Sequence, residues 1–406
     1  MESNNTLSKG KLTIVGIQYL FVAFGATVLV PLLTGLDPAT ALFSAGVGTL
    51  IFHFVTKGKV PIFLGSSFAF IAPIVSATEI FGLGGAIFGI MGVAFVYIVM
   101  SLLVKSFGLK FINKLFPPIV IGPIIMLIGL SLSGSAVNMA KNNWTLAFIS
   151  LAVAIVVTLY SRGLLKLIPI FCGIVVGYLV DLIFFGVDFT QVHEAAWFSL
   201  PHFILPDRWE WAPILYMIPV AIAPVIEHIG DLYVVNGVTG KNFVKDPGLH
   251  RTMLGDGLAC LFASLIGAPP VTTYSEVTGA MTLTKITHPA TMRIAAVTGI
   301  VFAMIGKVSA LLQSINSAVL GGIMLLIFGT IAGAGINTLL NAKVNLSSAR
   351  NLVILSVTLT TGIGGAALSF GRFTFAGIGL SAIIAVLLNL ILPETKEDRK
   401  KTVENY

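Results

Sequence analysis

Three carboxylates lie deep within apolar stretches of the sequence, where a charge usually has a chemical purpose. Glu227 and Asp231 are four residues apart in "APVIEHIGDLYVV", so on a helix they share one face and can address one site. Glu276, the third acid, follows a double proline in "GAPPVTTYSEVTGA". An ionised group costs about 3 kcal/mol at the centre of a bilayer, so each acid is predicted to face a cavity or a partner.

The spacing of Glu227 and Asp231 is compatible with two kinds of chemistry. At a separation of roughly 6 Å and an effective dielectric constant of about 20, two negative charges repel each other by about 3 kcal/mol. A shared proton relieves this repulsion, so the pair is predicted to take up and release a proton. The same groups could instead act as general acid and base of an intramembrane enzyme, and this alternative stays open at this point.

The remaining ionisable residues of the apolar stretches are predicted to be structural. Asp181, Asp256 and Lys307 lie near the ends of their stretches, where pairing or snorkelling is common. His228 lies off the acidic face, and a lone histidine is usually a packed, hydrogen-bonded residue. Neither an HExxH motif nor a second acidic cluster completes a metal site, so neither a metal nor a cofactor is predicted.

The three acids restrict the ligand that would bind beside them. A neutral, planar heterocycle with adjacent N–H and C=O groups fits, because the carboxylates accept from ring N–H groups and free backbone N–H groups donate to ring carbonyls. Phe68 or Tyr274 would supply a stacking face. An inorganic anion fits poorly, because Glu227 and Glu276 would repel it and no basic residue stands beside them in the sequence.

The composition indicates whether the protein is soluble or embedded in a membrane. Hydrophobic residues make up 56% of the 406 residues, charged residues only 10%, and the mean hydropathy is +0.98. These values are typical of an integral membrane protein. The net charge of +7 does not indicate a nucleic-acid partner, because nearly all basic residues fall in alternate loops, as cytoplasmic loops require.

The apolar runs predict about fourteen transmembrane segments with both termini in the cytoplasm. Four basic residues, Lys141, Arg208, Lys307 and Arg372, do not fall in the loops predicted to be cytoplasmic. The predicted segments cover residues 12–33, 39–56, 60–77, 81–104, 116–134, 145–160, 167–187, 212–236, 253–268, 271–284, 292–313, 317–340, 350–368 and 374–393.

Internal similarity predicts two halves of related structure. "GPIIMLIGLSLSG", from Gly122, resembles "GGIMLLIFGTIAG", from Gly321, at a constant offset of 199 residues (321 − 122 = 199). Seven segments per half make the repeat inverted in the membrane, and transporters bind their substrates between such repeats. The third and tenth segments then occupy matching positions, and both contain Pro, Gly, Ser and Thr. Each is predicted to be a short strand followed by half a helix, with backbone groups free to bind a ligand.

The sequence resembles a known family along nearly its whole length. The motifs are "QYLFVAFGATVLVP", "GKVPIFLGSSFAFIAP", "IEHIGDL", "KDPGLHRTMLGDGL" and "TTYSEVTGAM". They are similar to those of the nucleobase-ascorbate transporters, the nucleobase:cation symporter-2 family, and of its bacterial uracil permease branch in particular. The resemblance implies an all-α polytopic protein of two inverted seven-segment repeats in a bacterial cytoplasmic membrane, with proton-coupled nucleobase uptake.

The resemblance also implies a division into two domains. A core domain that holds the substrate comprises segments 1–4 and 8–11, and a gate domain against which it moves comprises segments 5–7 and 12–14. The corresponding ranges are 1–11 for the N-terminal tail, 12–105 and 211–313 for the core, 106–190 and 314–393 for the gate, 191–210 for an external loop and 394–406 for the C-terminal tail. Membrane lipid is an expected partner, and a homodimer is left open.

The family's site residues map onto this chain by motif. Glu227 and Glu276 would bind the base. The proton-coupling role predicted for Asp231 together with Glu227 comes from their spacing, and Asp231 stands where relatives use histidine. The backbone around Phe68, Ser275 and Glu276 would meet the base carbonyls, while Ala26 and Tyr274 would line the pocket. Three departures from the uracil pattern, Asp231, Val277 and the gate-side Phe328, keep a xanthine or other purine carrier open as the alternative to a uracil transporter.

Overall fold

The computed structural model describes residues 8–108, 114–162, 165–206, 209–370 and 373–393. Residues 1–7 of the predicted N-terminal tail, the whole C-terminal tail and two of the charge-pattern exceptions, Arg208 and Arg372, lie outside these ranges. Within them the chain is mainly helical with very little sheet, and one large cluster of buried apolar side chains extends through it. The prediction of an all-α polytopic membrane protein is confirmed.

The elements of the first half follow one another with short connections. They are α1 (Lys9–Thr34), α2 (Pro38–Val55), β1 (Leu64–Ser66), a 3-10 turn (Phe68–Phe70), α3 (Ile71–Phe107), α4 (Pro118–Ser131), α5 (Ser133–Ala140), α6 (Trp144–Tyr160), a second 3-10 turn (Leu165–Leu167), α7 (Pro169–Phe184) and α8 (Thr190–Glu194).

The second half begins with a broken helix and repeats the strand-then-helix motif. It comprises α9 (Trp211–Met217), α10 (Ile222–Thr239), a π-type turn (Val244–Gly248), α11 (Leu249–Ile266), β2 (Val271–Thr273), α12 (Ser275–Thr284), α13 (Pro289–Ala303), α14 (Gly306–Gln313), α15 (Ser317–Asn341), α16 (Ala349–Ile363), β3 (Ala367–Phe370), β4 (Phe373–Ala376) and α17 (Gly377–Ile391).

Each of the fourteen predicted segments contains helix, although helix length varies widely. In the described residues five helices are long and apolar enough to cross a bilayer: Lys9–Thr34, Pro38–Val55, Phe68–Phe107, Pro118–Ala140 and Ser317–Asn341. The longest contains the helical half of predicted segment 3 and all of segment 4, with a break at Gly82, where φ is +77°. A sixth span results when α9 and α10 count as one helix bent by 43°, and the break includes Pro219.

Three predicted segment boundaries are wrong. Residues 306–313 do not continue segment 11, because the chain leaves the helix at Met304 and forms the separate helix α14. Segment 13 ends earlier and segment 14 begins later than predicted, since α16 stops before Gly364 and the chain forms the antiparallel hairpin β3–β4 before α17 begins. Hydropathy cannot separate an apolar strand from an apolar helix in so short a run.

The packing of α4 against α15 has the geometry that an inverted repeat predicts. These helices carry the two similar sequences, and they run antiparallel, with Gly122 beside Leu339 and Gly129 beside Phe328 and Ala332. A Cβ atom at either glycine would overlap the facing helix, so the small residues permit close backbone approach. The predicted gate segments therefore contain a closely packed helix pair.

Candidate substrate-binding site

The two interrupted segments cross at the middle of the protein. Strands β1 and β2 pair antiparallel, with Leu64 opposite Thr273 and Ser66 opposite Val271. The ladder extends by one bond at each end, from Ser67 N–H to the Pro270 carbonyl (2.9 Å) and from Tyr274 N–H to the Phe63 carbonyl (3.2 Å). This confirms the predicted strand-plus-half-helix structure of segments 3 and 10. It also brings the N-termini of both half-helices to one place, where first-turn N–H groups have no intrahelical partner.

Tyr274 fixes the crossing. Its ring covers Gly65, where any side chain would collide with the ring. Its hydroxyl donates to the Ser66 carbonyl (2.8 Å) and accepts from Thr27 Oγ1 (3.3 Å), which ties both strands to α1. Tyr274 is 4% exposed. Its side chain thus serves mainly to hold the two segments together, and it contributes one wall of the cavity beside them.

The three predicted acids meet at this crossing. Glu227 and Asp231 lie one turn apart on α10, and Glu276 is the second residue of α12. All three line the same cavity. Asp231 is held by two hydroxyl groups from segment 10: Thr273 Oγ1 donates to Oδ2 (2.7 Å) and Ser275 Oγ donates to Oδ1 (2.6 Å). Asp231 therefore links α10 to the broken segment.

The predicted structural role of His228 and Asp256 is confirmed. His228 points away from the cavity into a fully buried contact, with Nδ1 2.9 Å from Asp256 Oδ2 and Nε2 2.9 Å from Thr252 Oγ1. These bonds join α10 to α11. Lys307 is also paired, since its Nζ donates to the carbonyls of Val192 (2.7 Å) and His193 (3.0 Å).

The cavity at the crossing has a volume of about 1310 Å³. One end is lined by Glu227, Asp231, Glu276 and the broken segments, and the other by basic and amide side chains, including Lys114, Lys343 and Arg350. This volume exceeds the roughly 300–1,000 Å³ of closed small-molecule pockets, as expected for a site with an open vestibule.

Two predicted site residues are not among those that line this cavity. Ala26 is completely buried on α1, next to the threonine that contacts Tyr274. Phe328, on α15, packs edge-to-face against Phe68 with ring centroids 5.9 Å apart. Phe68 does line the cavity, so this ring pair joins the two predicted domains behind it.

Hydroxyl residues are the part of the site that the sequence analysis missed. Thr272 and Thr273 line the cavity, as do Ser66 and Ser67, whose buried hydroxyls have no protein partner within the described ranges. The sequence pattern that could have predicted these residues is the run of hydroxyl side chains in "GSS" of segment 3 and in "VTTYS", directly before Glu276. The amide residues of the vestibule lie on α15, α16, α17 and the loop after α15, and their approach to the site depends on packing between distant segments.

The fold is that of a polytopic membrane transporter, with a candidate binding site at a crossing of broken helices. Comparison with known proteins supports this class, because the sequence profile of the Permease family matches residues 10–370. The chain belongs to this family, which is the nucleobase:cation symporter-2 family noted from the sequence.

Several curated relatives are similar over nearly their whole length. The probable uracil permease of Haemophilus influenzae is 48% identical over 400 residues, 96% of each chain. The uracil permease of Bacillus caldolyticus is 45% identical over 399 residues, 95% of this chain and 92% of the relative. That of Escherichia coli K12 is 37% identical, covering 93% and 90% respectively.

Solved structures share the fold at low sequence identity. SLC26A9 matches with a TM-score of 0.69 at 11% identity, covering 94% of this chain and 64% of that one. The transmembrane domain of the cyanobacterial bicarbonate transporter BicA matches with a TM-score of 0.62 at 13% identity, covering 96% and 98%.

Proposed function

We propose that this protein is a secondary active transporter that couples the uptake of uracil to protons. One observation carries the proposal: Glu227 and Glu276, from different segments, face one cavity beside the N-termini of two half-helices. The uracil permeases with 37–48% identity support the choice of substrate. The family membership favours transport over the intramembrane enzyme considered from the sequence.

The proposed recognition uses both charges and backbone. Uracil presents two ring N–H groups, which suit the carboxylates of Glu227 and Glu276, and two carbonyls, which suit the N–H groups around Phe68, Ser275 and Glu276. The Phe68 ring offers an apolar face. Phe328 acts indirectly in this scheme, because it packs on the far side of Phe68 and fixes its position.

The proposed proton site is the pair Glu227 and Asp231. The two hydroxyl bonds keep Asp231 on the face of α10 that Glu227 occupies, so a proton on either carboxylate relieves the repulsion between them. We assign Asp231 the coupling role and Glu227 a shared role in binding and coupling. The proton is the only coupling ion in this scheme, and no cofactor or metal takes part.

The proposed movement displaces a core (residues 12–105 and 211–313) against a gate (residues 106–190 and 314–393). The cavity lies between them, lined by α10, β1, β2 and α12 on one side and by α4, α15 and α16 on the other. Because Lys114, Lys343 and Arg350 line the end away from the three acids, we assign that end to the cytoplasm. The structure then corresponds to an inward-facing state. The lipid and homodimer expectations stay predictions.

The orientation can be tested by labelling. Single cysteines that replace Trp197, in the predicted external loop, and Asn242, in a predicted cytoplasmic loop, should differ in reactivity toward a membrane-impermeant reagent. On intact cells only the first should react, whereas both should react after permeabilisation. The opposite pattern would invert the assignment of the two ends.

The function can be tested with the purified protein in vesicles. Labelled uracil should accumulate when the outside is made acidic and should not accumulate in response to a sodium gradient alone. A purine carrier is the second candidate, because Asp231 resembles the acid of purine members. Unlabelled xanthine at tenfold excess should leave uracil uptake above half, and stronger inhibition by xanthine than by uracil would favour that candidate.

A further inference from the structure

Two chain segments connect the proposed core and gate at the end of the molecule opposite Lys114 and Lys343. The first linker comprises residues 185–210, of which 207–208 are outside the described ranges, and the second comprises residues 304–316 and includes α14. Each joins a gate segment to a core segment. Any movement of core against gate must therefore bend or displace both linkers.

The two linkers are bonded to each other. Ser199 N–H donates to the Met304 carbonyl (3.0 Å) and Gly306 N–H donates to the Trp197 carbonyl (3.3 Å), with Phe198 and Ile305 facing each other as an antiparallel bridge. The Lys307 ammonium reaches two further carbonyls of the first linker and lies 5.9 Å from the centre of the Trp197 ring. Main-chain hydrogen bonds and the contacts of Lys307 thus hold together two segments that are about a hundred residues apart in sequence.

Both linkers are also bonded to the core through one carboxylate. Asp37, which caps α2, accepts from Thr40 N–H (2.9 Å), from His202 N–H of the first linker (3.4 Å) and from Ser309 Oγ and Gln313 Nε2 of the second (both 3.4 Å). Apolar and main-chain contacts reinforce the first linker. Phe203 packs on Phe43 of α2, with ring centroids 5.4 Å apart, and Ile204 N–H donates to the carbonyl of Ile266 (3.3 Å).

In the second linker, the hydrogen bonds to the gate begin one residue after the last hydrogen bond to the core. Gln313 bonds to Asp37, whereas the next residue, Ser314, bonds through Oγ to the Tyr178 hydroxyl of α7 (2.7 Å). On the first linker Gly186, at φ +84°, donates to the Asp181 carbonyl of α7. A polar cavity of about 270 Å³, lined by Asp181, Gly186, Asp188, Gln313 and Ser314 among others, separates the two sets of contacts.

We infer that the two linkers move with the core as a single unit, and that the first linker bends at Gly186–Asp188 and the second at Gln313–Ser314. This rests on the proposed division into core and gate. The polar cavity lies at both bending points, so the side chains there can change partners in water rather than in lipid. Asp37 is then a positioning residue that keeps the linkers attached to the core.

Two engineered disulfides distinguish movement within this unit from movement across it. Phe198→Cys with Ile305→Cys joins the linkers, because facing residues of an antiparallel bridge have Cα atoms about 4.5–5.5 Å apart, within disulfide range. Gly25→Cys with Ile170→Cys joins α1 of the core to α7 of the gate, since a Cβ atom on Gly25 would be 3.5 Å from Ile170 Cβ. Both pairs are made in a transport-competent background in which Cys172 and Cys260 are replaced by Ala.

Uracil uptake and equilibrium uracil binding are measured before and after oxidation and after re-reduction. Oxidation of the linker pair should change uptake by less than twofold, whereas oxidation of the Gly25/Ile170 pair should remove more than nine-tenths of uptake, reversibly, with binding retained. If the reduced linker pair does not bind uracil, Ser199→Cys with Gly306→Cys replaces it. Their Cβ atoms would be 3.1 Å apart, and the main chain must shift slightly because the added Cβ atom of residue 306 would meet the Ala196 carbonyl.

Two results would overturn the inference, and they have different meanings. Reversible loss of uptake on oxidation of the linker pair would show that the linkers slide past each other, which leaves the proposed function intact. Unchanged uptake on oxidation of the Gly25/Ile170 pair would remove the division into core and gate, and the inference with it.

Discussion

Segments 3 and 10 have the same architecture but different chemistry. Each is a three-residue strand followed by half a helix, and the strands pair with each other. Around the crossing, segment 3 contributes only neutral groups, such as Ser66, Ser67 and Phe68, whereas segment 10 contributes Glu276 and the hydroxyls that hold Asp231. In the proposed mechanism the shared geometry therefore provides the backbone donors, whereas the groups assigned to selectivity and coupling are concentrated at segment 10.

The largest effect should come from Asp231, the acid that is hydrogen-bonded by hydroxyl groups of segment 10. Asp231→Asn cannot take up a proton, so accumulation of uracil against its gradient should disappear and uptake should lose its increase at acidic external pH. Uracil binding should stay within threefold of the original, because Glu227 and Glu276 remain. The measurement is uptake driven by an imposed pH gradient, with Glu194→Gln, in α8 of the first linker, as the control.

Persistence of pH-driven accumulation in Asp231→Asn would assign coupling to Glu227 alone. The asymmetry between the two broken segments would then concern recognition and not coupling.

The next effect concerns recognition by segment 10. Glu276→Gln preserves size but replaces an ionised acceptor with a neutral amide, so a ring N–H loses a charge-assisted bond worth about 1.5–3 kcal/mol. Uracil binding should weaken at least tenfold, as measured by isothermal titration of the purified protein. Glu79→Gln, at an exposed position of α3, should not change binding. Binding within twofold in Glu276→Gln would remove this residue from the site.

An intermediate effect is expected from the contact that joins the two segments. Tyr274→Phe removes the bond to the Ser66 carbonyl and the bond from Thr27, each worth about 1 kcal/mol. Thermal stability should fall, and uracil binding should weaken by about fivefold because the half-helices are held less firmly. Tyr160→Phe, at an exposed position, is the control. Unchanged stability would mean that the strand ladder alone fixes the crossing.

The smallest effect compares one hydroxyl from each segment. Ser275→Ala takes a donor from Asp231 and should lower the free energy of unfolding by about 1 kcal/mol or more. Ser67→Ala removes a hydroxyl without a protein partner in the described structure, so unfolding should change by less than about 0.5 kcal/mol. A loss of uracil binding above threefold in Ser67→Ala would show that segment 3 also recognises the base directly.

The sequence predicted the parts of this site that depend on local rules. Proline and glycine inside apolar runs predicted the breaks at segments 3 and 10, and a spacing of four predicted that Glu227 and Asp231 share a face. The donors to Asp231 could not be predicted, because Thr273 and Ser275 reach it only after two segments cross. The independence of α14 from segment 11 also escaped the sequence analysis, since an apolar turn has the same hydropathy as an apolar helix.

The pairing of β1 with β2 has a consequence for how the protein is made. The ribosome completes Leu64–Ser66 about two hundred residues before Val271–Thr273, the partner strand. At roughly 5–20 residues per second this is an interval of about 10–40 seconds. Throughout it the main-chain groups of the first strand lack their final partners, and leaving them in lipid would cost several kcal/mol each. Until β2 is made, segment 3 must therefore lie in a hydrated environment or be bound by a chaperone. A chain truncated before residue 271 should be degraded by membrane quality control and should not accumulate in the membrane.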